Sequence, residues 1–207
     1  MENIIKREMW TTPIWVADTG FDKYFNDLLL MELRQERENG RFDVYNIWNV
    51  KSERLQTVRE KLLELIRHEM FDYLNENHPA GYDPRLSNGW LNYFNTGEGL
   101  SLHDHAGSLL AATYYVNVPE NSGDIYFNDP RGAIDWDWRS DGKVKYTSKL
   151  IRIKPKAGQI IMFPAFLFHG VEENKSNKPR ITITTNISNG DIKNPPQELI
   201  NKLYDNL

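Results

Sequence analysis

The chain has 207 residues and a formal net charge of -4, with 40% hydrophobic and 26% charged residues, the balance of a folded globular protein rather than a disordered one. Its mild acidity argues against a nucleic-acid binder that depends on broad phosphate neutralisation. The absence of cysteine excludes disulfides, thiolate metal sites and cysteine nucleophiles.

In chain order, Thr12-Pro13-Ile14-Trp15-Val16 reads as a short strand, with proline near its start where it is tolerated. Residues 21–37 carry apolar side chains at helical spacing and run out before Gly40. A stronger helix spans 53–74, its stripe formed by Val58, Leu62, Leu65, Ile66, Met70 and Leu74, with Ser52 placed to cap it. After Pro79-Ala80-Gly81 the rhythm changes to short runs of β-branched and aromatic residues punctuated by Gly, Pro and Asn. These predict strands at 90–95, 100–105, 109–118, 123–127, 134–139, 149–154, 159–163, 166–170 and 179–187. Two helices followed by nine strands make an α+β chain whose β part is a sandwich or barrel. The expected organisation is one domain over 1–207, with helical support at 18–78 and a β core at 88–190. Neither a membrane-length apolar stretch nor a signal-peptide core is present, so a cytoplasmic protein is expected.

Only five histidines occur, and two form His103-Asp104-His105. In a strand, residues i and i+2 share a face, so both imidazoles would point the same way while Asp104 points away. His169, at the end of an apolar run, is the candidate third ligand. Iron, zinc and copper all suit imidazole nitrogen, so residue types alone do not select the metal. His68 and His78 read as surface or packing residues. No phosphate-binding G-x-x-x-x-G-K-[ST] motif is present, and Ser101 and Ser108 lack the elbow of a serine nucleophile.

The flanking segments are more specific. Residues 92–103, from Asn92-Tyr93-Phe94 to Leu102-His103, resemble the approach to the first metal ligand in prolyl-hydroxylase-like 2-oxoglutarate/Fe(II) oxygenases. Thr113-Tyr114-Tyr115-Val116-Asn117, residues 154–171 and the strand from Pro179-Arg180 to Asn186 are similar, in order and spacing, to that family's later core strands. Thr12-Pro13-Ile14 and residues 127–132 resemble a branch found in bacteria and phages. The resemblance implies a double-stranded β-helix (a cupin-like jelly roll) with the N-terminal helices on one sheet. It also implies Fe(II), 2-oxoglutarate and dioxygen as cofactor and co-substrates. His103 and His169 would ligate the iron, Arg180 would clamp the far carboxylate of 2-oxoglutarate, and Tyr93, Tyr115, Thr182 and Thr184 would line the co-substrate pocket. The host cytoplasm is the expected location if the source is viral, and β-helix edges make a homo-oligomer an expectation.

One position departs from the family pattern. His105 stands where a carboxylate completes the two-histidine, one-carboxylate triad. Three resolutions are open: a three-histidine centre, which needs no irregular backbone; a bulge that turns Asp104 inward; or a carboxylate from Asp124 or Asp129. Asp104 or Asp129 would otherwise orient a ligand histidine. Arg131, Trp136 and Trp138 are candidates for a substrate rim, with an unidentified small-molecule, amino-acid or peptidyl substrate. The rival functions are a three-histidine cupin-like dioxygenase or isomerase that uses no keto acid, and a non-catalytic scaffold or virion or host-interaction protein.

Overall fold

The computed structural model describes residues 11–43, 46–69, 83–131 and 150–189. The first strand, β1 (Trp15–Asp18), leads into helix α1 (Lys23–Glu38). The helix starts two residues after the expected position because Asp22 caps it, accepting a hydrogen bond from the Phe25 N–H at 2.8 Å. Phe21, just before the cap, stacks on Phe25 with ring centroids 4.2 Å apart. After a 3-10 turn at Ile47–Asn49, helix α2 spans Glu53–Glu69; the expected stripe residues Met70 and Leu74 lie outside the described residues. Ser52 does cap α2, accepting from the Leu55 N–H at 3.0 Å, and its hydroxyl donates to Glu32 of α1 at 2.6 Å. One serine thus fixes both a helix start and the α1–α2 contact.

The strands that follow are β2 (Pro84–Phe94), β3 (Leu100–His103), β4 (Leu110–Asn117), β5 (Ile125–Asn128), β6 (Leu150–Ile153), β7 (Gln159–Pro164), β8 (His169–Val171) and β9 (Arg180–Asn189). They form two antiparallel sheets, one ordered β1-β7-β4-β9-β2 and the other β3-β8-β5-β6. The expected strand at 134–139 lies outside the described residues. Several strand boundaries differ from expectation, three of them with a visible cause. β2 begins at Pro84 because it is an edge strand, where proline is tolerated, and a register shift between Leu86 and Gly89 breaks its alternation. β3 ends at His103 rather than 105, and β8 begins at His169 because a turn closes with Leu167 N–H donating to Pro164 C=O at 3.0 Å.

Two apolar layers result. Leu110, Ala112, Tyr114 and Val116 of β4 and Ile181, Ile183 and Ile187 of β9 pack against Leu29, Leu33, Leu55, Leu62 and Ile66 of the helices. Ala111, Tyr115, Ile125, Phe127, Ile161 and Phe163 pack between the sheets. The period of two sends alternate β9 side chains to these two layers, leaving Arg180, Thr182 and Thr184 facing the second sheet. Gly89 is required where β2 passes the helical layer: a Cβ there would lie 2.4 Å from Trp48 Nε1. That indole instead donates to Thr185 Oγ1 at 3.0 Å. Among the described residues no helix is long and apolar enough to cross a membrane.

Candidate metal centre

His103, His105 and His169 converge. One ligand nitrogen from each lies within 4.8 Å of the other two, and among the described residues no carboxylate joins the cluster. His103 and His169 are opposite one another in the β3–β8 pairing. His105 reaches them by a different route from the one expected. It lies beyond the end of β3, and its direction is set by its N–H donating to Ala165 C=O at 2.9 Å and its C=O accepting from Ser108 N–H at 3.1 Å.

The rings are oriented by short-range hydrogen bonds. His103 Nδ1 lies 2.9 Å from Ser101 C=O and His169 Nδ1 lies 3.0 Å from Leu167 C=O. A carbonyl only accepts, so each Nδ1 carries the proton and each Nε2 presents a lone pair to the centre. His105 stacks on His169 at 5.0 Å and 14°, with the two Nε2 atoms 3.3 Å apart. Imidazoles bound to one ion at roughly 2.1 Å have nitrogens about 3 Å apart, so this pair is already near ligand spacing. Burial holds the His169 pKa down at about 4, with the Leu167 carbonyl opposing and the neighbouring histidines reinforcing the shift. Burial also lowers that of His105, helped by His103 and opposed by Asp104. Both are therefore in the neutral, ligand form at neutral pH.

The same cavity contains Trp90, Asn92, Phe94, Thr113, Tyr115, Arg180, Thr182 and Thr184. Arg180 is 1% exposed, and among the described residues it forms no ion pair with a carboxylate. Its Nη1 donates to Ser122 C=O at 3.2 Å and Gly123 C=O at 3.1 Å, its Cζ sits 4.8 Å from the Phe94 ring centroid, and its buried Nε has no acceptor among the described residues. Burial weakens its hold on the proton, while the fields of Tyr115 and Asp124 strengthen it. The Tyr115 phenol is pushed up by burial and so stays protonated.

Tyr93 is a correction to the sequence reading, and three candidate carboxylates lie outside the imidazole cluster. Tyr93 does not line this cavity; it is 49% exposed and lies in a groove with Leu33, Phe42 and Ile181, because alternation in β2 sends Trp90, Asn92 and Phe94 inward instead. Asp104 is not turned into the cluster. Asp124 is likewise outside it and acts electrostatically on Arg180. Asp129 is held by Arg131, which donates from Nε at 2.9 Å and Nη2 at 2.5 Å and keeps its carboxyl below the usual range. Arg131 is therefore tied to Asp129, and Trp136 and Trp138 lie outside the described residues. Asn92 and Thr113 went unnoticed in the sequence, although the pairing of Asn92 with Thr182 would have placed it on the Arg180 face.

Residues 88–186 match the protein family described as "Putative 2OG-Fe(II) oxygenase". Through that segment the chain carries the core of a 2-oxoglutarate/Fe(II)-dependent oxygenase. It is an enzyme of that class, and the family together with the imidazole cluster points to an Fe(II)/2-oxoglutarate cofactor system. Solved oxygenase structures share the fold. A prolyl-4-hydroxylase from Pseudomonas putida is 14% identical with a TM-score of 0.58, covering 87% of this chain and 90% of its own. HygX from Streptomyces hygroscopicus, solved with nickel and 2-oxoglutarate, is 14% identical with a TM-score of 0.58, covering 87% and 84%. The viral collagen prolyl hydroxylase of Paramecium bursaria Chlorella virus-1 is 16% identical with a TM-score of 0.56, covering 86% and 96%. None of the curated proteins matches the sequence.

Proposed function

We propose that this oxygenase is a 2-oxoglutarate- and Fe(II)-dependent dioxygenase that hydroxylates a C–H bond of a small-molecule, amino-acid or peptidyl substrate, its two sheets forming a double-stranded β-helix. One observation carries the proposal: three imidazole donors share one cavity with a buried arginine that has no carboxylate partner among the described residues. A buried guanidinium with an orphaned N–H is costly unless an anion completes it.

His103, His105 and His169 would hold the metal. Arg180, with its planar donor fork, would take the distal carboxylate of 2-oxoglutarate, and Tyr115, which lines the same cavity, would share that load through its O–H. Bound together, iron, 2-oxoglutarate and dioxygen supply an oxidation that yields succinate and carbon dioxide and delivers one oxygen atom to substrate. The chain's own part is to orient the three rings through Ser101 and Leu167, to hold the keto acid by its far end, and to exclude water with Trp90, Phe94 and Phe163.

The three-histidine set also suits a cupin-like dioxygenase that binds its organic substrate directly, but such an enzyme has no use for Arg180. Anaerobic titration of the iron-loaded protein with 2-oxoglutarate separates them. A visible metal-to-ligand charge-transfer band is expected, and a folded, iron-loaded sample without one overturns the proposal.

A further inference from the structure

Asn92 sits on β2 directly opposite Thr182 of β9, on the face of the sheet that carries Arg180. Its amide Nδ2 donates to two hydroxyl oxygens at once, Thr184 Oγ1 at 2.8 Å and Thr182 Oγ1 at 3.2 Å. Thr184 Oγ1 also lies 3.2 Å from Thr113 Oγ1, so its remaining hydrogen bond has a protein partner. Thr182 differs. It is 3% exposed, and among the described residues its hydroxyl proton has no acceptor. Tyr115 is its cross-strand neighbour on β4, and Arg180 is two residues away on the same face of β9.

A hydroxyl rotor is free to donate or accept until its neighbours decide. Were the Asn92 carboxamide turned the other way, its oxygen would consume both threonine protons. With the NH2 group facing them, each threonine oxygen accepts a bond and the Thr182 proton is left to donate elsewhere in the cavity. We propose that Asn92 is a positioning residue for the distal carboxylate of 2-oxoglutarate: it sets the Thr182 hydroxyl as a donor beside Arg180 and Tyr115. This rests on the function proposed above. It makes the anion pocket a three-sided set of donors, one cationic and two hydroxylic, with Asn92 acting only through Thr182.

Binding, rather than turnover, tests it. The protein is loaded with Mn(II) as a redox-silent metal, and 2-oxoglutarate and 2-oxobutyrate, which lacks the distal carboxylate, are titrated by calorimetry. Asn92→Asp replaces the amide donors by acceptors, so it converts Thr182 into a donor to the protein. It is expected to weaken 2-oxoglutarate at least tenfold while leaving Mn(II) and 2-oxobutyrate affinities within twofold. Thr182→Val should weaken 2-oxoglutarate too, and the double variant should bind no worse than the weaker single one, since both remove the same donor. Asn92→Ser, which retains a hydroxyl donor, should recover part of the loss. If wild type binds Mn(II) but not 2-oxoglutarate, the proposed function fails and this inference with it. If wild type binds 2-oxoglutarate and Asn92→Asp binds it equally well, or loses 2-oxobutyrate to the same extent, only the role of Asn92 is overturned.

Discussion

His105 and His169 face each other with their Nε2 atoms 3.3 Å apart and their rings nearly parallel. With His169 Nδ1 protonated toward Leu167, its Nε2 has only a lone pair to offer, and a second lone pair at that distance is repulsive. A shared proton relieves this pair, and a cation relieves all three histidines. Metal binding should therefore stabilise the protein strongly, by roughly 3–4 kcal/mol at 100- to 1,000-fold excess over Kd. His105→Ala should abolish that increment while leaving the EDTA-treated protein within about 1 kcal/mol of wild type. Thermal unfolding with and without Zn(II) or Mn(II) measures both.

The pH dependence of the metal-free protein follows from His169. Its folded pKa of about 4 lies below the ordinary value near 6.5. Between those values the unfolded chain binds more protons than the folded one, so stability falls as pH falls from about 6.5 toward 4 and is flat above. The loss is on the order of 3 kcal/mol, and His105, shifted in the same direction, adds to it. Urea unfolding of EDTA-treated protein at pH 7 and pH 5 should show the decline, and Mn(II) affinity should weaken over the same interval.

Arg180 separates ligand binding from folding. Arg180→Met removes a buried charge of similar length along with two hydrogen bonds to backbone carbonyls, changes that oppose one another. Stability should stay within about 1–2 kcal/mol, whereas 2-oxoglutarate affinity should drop about 100-fold, the loss of two charge-assisted bonds. Arg180→Lys should recover only part of it, because an ammonium offers no planar fork. Calorimetry and circular dichroism on the same samples check the split.

Gly89→Ala probes the wall behind the cavity. The added methyl meets the Trp48 indole at 2.4 Å, so the ring must move and its bond to Thr185 must lengthen. A loss of about 1–3 kcal/mol in denaturant unfolding is expected, relieved when Trp48 is replaced by Phe.

The convergence of His103, His105 and His169 is legible because imidazoles are scarce in this chain and these three sit in recognisable surroundings. That Arg180, Thr182 and Thr184 share one face of β9 is legible because strand alternation is strict where both faces are buried. Tyr93 was misplaced for the complementary reason. Its distance along the chain from His103 says nothing of which face of β2 it occupies, and only pairing with β9 settles that. His105 was assigned correctly to the cluster but for the wrong cause, since a strand was expected where a turn anchored on Ala165 does the work. Long-range backbone hydrogen bonds of this kind leave no local signature in a sequence.

β9 separates two compartments with one thickness of chain. Ile181, Ile183 and Ile187 press on the helices, while the intervening Arg180, Thr182 and Thr184 face the cavity. A bulkier side chain beneath α1 would push on the strand that carries Arg180, Thr182 and Thr184, so a substitution among the helix-packing residues would be felt in the cavity without any change to its lining.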